Sequence, residues 1–112
     1  MSVVLVTGGR DFADSLLVAD ALSDLLPEDV VIHGGASGAD TLAGQVAEEM
    51  GLHVAVVCAR WRFYGRSAGH LRNRAMLALR PDRVIAFPGG KGTADCCNQA
   101  EAAGIPVEHW KP

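Results

Sequence analysis

Three times in this chain a short apolar run stops on a glycine-rich turn and a helical pattern follows. The runs are Val3-Val4-Leu5-Val6 before Thr7-Gly8-Gly9, Val30-Val31-Ile32 before His33-Gly34-Gly35-Ala36-Ser37-Gly38, and Arg83 to Phe87 before Pro88-Gly89-Gly90. Apolar runs this short, bounded by glycine, read as strands buried on both faces of a parallel sheet. After the first turn, Phe12, Leu16, Ala19, Leu22 and Leu26 recur at helical spacing, and Pro27 marks the end. A second helix buries Leu42, Val46 and Met50 and closes at Gly51, in the position that favours a left-handed residue.

His53 to Val57 reads as a third strand, and a longish connection from Cys58 to Gly69 follows it. A helix over about 70–79 turns Leu71, Ala75 and Leu79 to one face, and the last helix runs from about Gly92 to Ala103. Pro106-Val107-Glu108 suits an edge strand, where proline is tolerated. Strands alternating with helices predict an α/β fold. The expectation is a single Rossmann-like three-layer domain over residues 1–112, with a mostly parallel sheet of about five strands and helices on both faces. Ligands of such folds bind beyond the carboxyl ends of the strands, where all three glycine turns lie.

With 112 residues, 49% of them hydrophobic, the chain can bury a core without staples. A net charge of −3 argues against general nucleic-acid or membrane binding. Cys58, Cys96 and Cys97 give an odd count, with no disulfide framework and no zinc signature, so no metal is expected. Cys96 and Cys97 fall in a predicted helix and read as small buried hydrophobes. His33 reads as a hydrogen-bonded structural histidine. The start of the chain leads straight into a strand, and no apolar run reaches membrane length, so a cytoplasmic protein is expected.

The turn Gly34-Gly35-Ala36-Ser37-Gly38-Ala39-Asp40 lets backbone N–H groups at a helix start face a phosphate. Ser37 and Asp40 also fit a capping box, and both readings can hold together. Pro88-Gly89-Gly90-Lys91-Gly92-Thr93 repeats the arrangement, with Thr93 as a possible ordinary cap. Neither loop has the P-loop spacing, and Thr7-Gly8-Gly9-Arg10-Asp11 does not complete a dinucleotide fingerprint. Arg60, Arg62, Arg66, Arg72 and Arg74 hold half of the chain's ten cations, with Trp61, Phe63, Tyr64 and His70 among them. Such arginines can make bidentate contacts to an anion, and an adjacent aromatic can stack a base. The alternative is a solvated loop with Trp61 and Phe63 folded into the core. Asp11, Asp40 and Asp95 lie near glycine turns and could hold a ribose hydroxyl or activate water.

An ordered set of residues resembles the SLOG superfamily, in particular its YspA-like branch, over nearly the whole chain. It comprises Gly8-Gly9-Arg10-Asp11-Phe12, His33-Gly34-Gly35-Ala36 with Gly38-Ala39-Asp40, Trp61, Tyr64-Gly65, Ala68-Gly69, Arg72-Asn73, Met76, and Ala86-Phe87-Pro88-Gly89-Gly90 with Gly92-Thr93. The resemblance implies a Rossmann-like sheet and a pocket for nucleotides or nucleotide-derived ligands. Members are considered sensors or carriers of such ligands in nucleotide-linked signalling or phage conflict. The related Lonely Guy phosphoribohydrolases cut the N-glycosidic bond of nucleoside 5′-monophosphates. Their loop reads P-G-G-x-G-T-x-x-E, with an upstream arginine. Here the glycines and Thr93 match, Arg72 or Arg74 could be that arginine, and Cys96 stands at the glutamate position. A thiol does not replace a carboxylate that handles the proton or an oxocarbenium-like centre. Asp95 is one residue off, which turns it by about 100° on a helix. The resemblance therefore carries over the phosphate site and not the hydrolase chemistry.

The leading expectation is a sensor or carrier that binds a nucleoside phosphate or ADP-ribose-like ligand, with no other cofactor. The ligand-binding residues are Gly8, Gly9, Arg10 and Asp11 after the first strand, and Gly34, Gly35, Ser37, Gly38 and Asp40 after the second. Trp61, Tyr64, Arg72 and Asn73 come from the basic connection and its helix, and Pro88, Gly89, Gly90, Gly92 and Thr93 from the turn after the fourth strand. The alternative is a nucleotide hydrolase using Asp11, Asp40 or Asp95. Single-stranded DNA binding ranks last, because a DNA groove needs a long basic track. A homodimer or higher homo-oligomer is expected by family analogy alone.

Overall fold

The computed structural model describes all 112 residues. Five strands form one all-parallel sheet: β1 (Val3–Thr7), β2 (Val30–His33), β3 (His53–Val56), β4 (Arg83–Ala86) and β5 (Val107–His109), in the order β3-β2-β1-β4-β5. The helices are α1 (Ser15–Leu22), α2 (Ala39–Glu49), the single turn α3 (Trp61–Tyr64), α4 (Ala68–Ala78) and α5 (Lys91–Ala102), with a 3₁₀ turn over Gly65–Ser67. The central strands alternate sides, so each face gains its own core. Val4, Val6, Val31 and Ile85 pack with α1 and α2 on one face. Leu5, Ile32 and Val84 pack with Met76 and Leu77 of α4 and with Cys96 and Ala100 of α5 on the other. No helix is long and apolar enough to cross a membrane.

Carboxylates fix the start of the sheet. Asp29 accepts hydrogen bonds from the backbone N–H of Ser2 (2.7 Å) and Leu26 (2.8 Å), and Asp82 accepts from that of Val3 (2.7 Å). The two bonds to Asp29 hold its pKa below the usual carboxylate value.

Two helices bury a different face from the one expected. In α1 the buried residues are Val18, Ala21 and Leu22, followed by Leu25, whereas Leu16 is 78% and Leu26 57% exposed. The segment is apolar on two overlapping helical registers. Asp14 selects one by capping Leu17 N–H at 3.0 Å, which starts the helix after Phe12. In α4 the inner face carries Ala68, Asn73, Met76 and Leu77, while Ala75 and Leu79 are exposed. There a polar residue, Asn73, takes an interior position because α5 supplies partners for its amide. Within α2, Val46 is buried as expected, but Leu42 and Met50 are only half-buried.

The chain runs outward from β1 to β2 and β3, then crosses back to β4 on the other side of β1. This reversal opens a crevice beyond the carboxyl ends of β1 and β4, where open parallel sheets bind ligands.

Candidate functional site

A cleft of about 400 Å³ occupies that crevice. Gly8, Gly9 and Arg10 border it after β1, Ala36 and Asp40 after β2, and Gly90, Lys91, Gly92 and Thr93 after β4. Trp61, Arg72 and Asn73 close the side formed by the long connection and α4. A second hollow of about 340 Å³ adjoins it across Arg10, Trp61 and Arg72 and reaches Gly35, Ser37 and Cys58.

The three glycine turns are packed on one another. Gly9 N–H donates to Pro88 O at 2.8 Å, and Gly9 O accepts from Ala39 N–H at 3.1 Å. A Cβ on Gly8 would lie 2.5 Å from Ala39 Cβ, and one on Gly9 2.9 Å from Pro88 O. A Cβ on Gly89 would collide with Thr93 Oγ1, and one on Gly38 with Gly9 O. These glycines therefore let the turns approach each other closely. Gly90 and Gly92 differ, since nothing lies within 4 Å of a Cβ built on either.

The turn after β2 is filled by its own helix. Asp40 Oδ2 accepts from Gly34 N–H at 3.0 Å and from Ala36 N–H at 3.2 Å. Gly35 has φ +72° and donates its N–H to His33 Nδ1 at 3.0 Å. Gly38, φ +77°, is the N-cap, and no side chain caps α2. Ser37 is exposed and makes no side-chain hydrogen bond, so the capping box does not form. Asp40 lies too deep to cap, because it has turned back into the loop. Burial pushes the Asp40 carboxyl above the usual carboxylate value, against the opposing pull of the Ala36 N–H, Arg72, His33 and the Gly34 N–H. Burial likewise holds His33 below the usual imidazole value. A Cβ on Gly44 would lie 2.8 Å from His33 Nε2, so this glycine makes room for the ring.

The turn after β4 takes in no side chain of its own chain as an acceptor. The backbone N–H groups of Gly90, Lys91, Gly92 and Thr93 have no partner within the chain, and the first helical bond is Ala94 N–H to Gly90 O. All four residues line the cleft. Successive free N–H groups at the start of a 12-residue helix present a positive dipole end. Lys91 adds an exposed cation at the cleft that the glycine pattern alone does not single out. Its signal was a lysine inside a glycine turn.

Arg72 and Asn73 together bridge the two loops. Arg72 Nη1 donates to Gly34 O at 2.6 Å and its Nε to Asn73 Oδ1 at 3.1 Å. Asn73 Nδ2 donates to Gly92 O at 3.1 Å and to Asp95 Oδ2 at 3.0 Å. The guanidinium is thus fixed at the cleft wall through Nε and Nη1, and its Nη2 makes no hydrogen bond within the chain. Arg74 is exposed and does not line the cleft. Arg10 lies 5.8 Å from the Trp61 ring centre, and this indole is 51% exposed at the cleft rim.

Other expected residues lie elsewhere. Tyr64 is 56% exposed and lines a separate apolar groove with Val57 and Leu71. Phe63 is 71% exposed and is not part of the core. Pro88 and Gly89 border a shallow hollow on the other side of α5, beside Trp110. Asp11 is exposed and does not line the cleft. Asp95 is occupied: its oxygens meet His70 Nδ1 at 2.8 Å, Asn73 Nδ2 and Gln99 Nε2 at 2.8 Å. Partial burial pushes its pKa up, but these bonds outweigh it and hold the carboxyl below its usual value. Asp40 is the only carboxylate lining the cleft. Cys96 is fully buried under the sheet, and burial and the neighbouring Cys97 push its thiol up to about 12.

The model of the YspA, cpYpsA-related SLOG family matches residues 2–64. The chain belongs to this SLOG family. Gene 61 protein of Mycobacterium phage D29 is 42% identical, over 96% of this chain and 94% of its own length. Two solved structures share the SLOG chain's fold. The X-ray structure of TM1055 superposes with a TM-score of 0.73 at 23% identity, over 96% of this chain and 72% of that one. That of DNA processing protein A (DprA) from Streptococcus pneumoniae superposes with a TM-score of 0.62 at 19% identity. This alignment takes in 96% of the SLOG chain, which spans 58% of the DprA chain.

Proposed function

We propose that this SLOG domain binds a nucleotide or nucleotide-derived ligand by its phosphate at the open start of α5, as a sensor or carrier. One observation carries the reading. Four consecutive unpartnered N–H groups, Gly90 to Thr93, border a cleft rimmed by Arg10, Lys91 and Arg72 at the switch point of the sheet. Backbone dipoles and charge-assisted donors converge there on a volume suited to a small anionic ligand. Trp61 at the rim offers a face on which a base can stack. Family membership agrees with this class of ligand.

Calorimetric titration with AMP and ADP-ribose tests the proposal. Saturable binding to the wild type, weakened at least about tenfold by Gly90→Val, is expected for loss of charge-assisted phosphate contacts. Equal affinity in the two proteins, or no binding of any nucleotide, would remove the phosphate from this loop.

A hydrolytic reading has one observation in its favour: Asp40 is in the cleft with a raised pKa, as acid–base groups often are. Its Oδ2 is, however, committed to two loop N–H groups, and Cys96 holds the glutamate position of the phosphoribohydrolase motif with an inert, buried thiol. Prolonged incubation with AMP is expected to release negligible free base. Chromatography showing turnover that Asp40→Asn abolishes would promote hydrolysis over carriage.

A further inference from the structure

The charges of this chain are sorted along its length. Residues 1–49 carry nine carboxylates and one cation, Arg10, whereas residues 50–81 carry six arginines, no lysine and no carboxylate. The fold keeps the two sets apart. Asp20 of α1 and Glu48 and Glu49 of α2 are exposed on the face that covers one side of the sheet. Arg60, Arg62 and Arg66 lie on an arm, residues 60–67, that leaves the end of β3 and enters α4 on the opposite side. The ion pairs of the molecule are His70–Asp95, Arg83–Asp24 and Arg83–Glu108, so no carboxylate of the same chain neutralises the arm.

The arm is also unpacked. Neither α3 nor the following 3₁₀ turn buries a residue. Phe63 is 71% exposed, and the Arg60 guanidinium lies 5.4 Å from its ring centre. Arginines and aromatics without lysine, aspartate or glutamate are the composition of protein interface centres. A single-strand groove uses a longer basic track. The acidic face has apolar surface to offer in return, with Leu16 78% and Leu26 57% exposed.

From these observations we infer that the arm of one molecule docks on the acidic α1–α2 face of a second copy, so that copies associate head to tail. A two-fold pairing of arm on arm would set arginines against arginines, and a reciprocal two-fold contact of arm with acidic face would need both on one side of the molecule, whereas they lie on opposite sides of the sheet. A heterologous contact sets them against carboxylates instead, and such contacts propagate into rings or open chains. Arg62, Phe63 and Arg66 do not line the cleft, whereas Trp61 of the same arm does, so the contact surface borders the ligand site without containing its cations.

Sedimentation velocity on the full chain tests this. At low salt the mean mass should rise above the 11.8 kDa of one chain as concentration increases. It should fall back in about 1 M salt, where the Debye length is about 3 Å. Arg62→Glu with Arg66→Glu should weaken association at least about tenfold, and so should Asp20→Arg with Glu49→Arg. Mixing the two double variants should restore it, because each retains the surface that the other lacks. A monomer under all conditions, association that neither reversal changes, or no recovery on mixing would overturn the inference. So would a chain that stays monomeric while single-stranded DNA binds the wild type and not the Arg62→Glu/Arg66→Glu variant, which would give the arm to nucleic acid.

Discussion

The turns after β2 and β4 have nearly the same composition and opposite states. Each follows a buried strand, is rich in glycine and opens a helix of 11 or 12 residues. The turn after β2 has drawn in its own Asp40, whose carboxylate takes two of the N–H groups that an external anion would need. The turn after β4 has no such side chain, because Asp95 faces Asn73, His70 and Gln99. One loop therefore carries an internal anion and the other is left free for an external one. Glycines at a helix start do not by themselves make a ligand site. What decides is whether a carboxylate lies within one turn and faces back into the loop.

The contrast is broken most severely at Gly38. A Cβ there meets Gly9 O and the Arg10 carbonyl at a φ of +77°. Urea unfolding of Gly38→Ala should show a loss of about 3 kcal/mol or more, from strain and overpacking together. Gly90→Ala, with open space around it, should change stability by no more than about 1 kcal/mol. Equal losses at the two positions would erase the distinction. Asp40→Ala should cost about 2–4 kcal/mol, since it strands two N–H groups in the loop.

A smaller effect is expected at Arg72, which bonds the turn after β2 directly and the turn after β4 only through Asn73. Arg72→Lys cannot reproduce the fixed donors to Gly34 O and Asn73, and stability should fall by about 1 kcal/mol. AMP affinity should fall roughly tenfold. Unchanged affinity in calorimetry would leave Arg72 as a purely structural tie.

The two carboxylates should also respond oppositely to acid. The raised pKa of Asp40 means that its contribution is fully present below the unfolded value and is lost as pH rises through the folded one. The lowered pKa of Asp95 gives a contribution present above the unfolded value and lost as pH falls through the folded one. Denaturation between about pH 7 and pH 3 should therefore show the deficit of Asp95→Asn shrinking with acid and that of Asp40→Asn growing. Parallel profiles would contradict the assignment. The smallest effect is Ser37→Ala, expected within about 0.5 kcal/mol. A loss of about 1 kcal/mol would instead mean that Ser37 caps α2.

The strand–glycine–helix rhythm made the architecture legible, because short apolar runs between glycines have few alternatives in a parallel sheet. The buried His33 was legible because it ends an otherwise apolar strand, and Cys96 and Cys97 were legible as small hydrophobes within a helix whose neighbours are polar. Helix faces were less so, since α1 offers two apolar registers and only the cap at Asp14 chooses between them. In the site, the approach of Gly90 to Thr93, Arg72 and Trp61 to one crevice follows from strand order. The use of Gly8, Gly9, Gly38 and Gly89 as packing surfaces does not, because it depends on contacts among loops distant in sequence. The turning of Asp40 into its loop was equally hidden. A carboxylate two residues past the N-cap can cap, point outward or fold back, and only tertiary packing distinguishes these.

If the proposed ligand binds by its phosphate, the start of α5 is the open anion site and the start of α2 the closed one. Amide NMR during titration with AMP tests it residue by residue. The backbone N–H signals of Gly90, Lys91, Gly92 and Thr93 should shift progressively and saturate, while those of Gly34 and Ala36, bonded to Asp40, stay in place. Saturating shifts at Gly34 and Ala36 with none at Gly90 to Thr93 would contradict the claim, since they would mean that the ligand displaces Asp40 from the turn after β2.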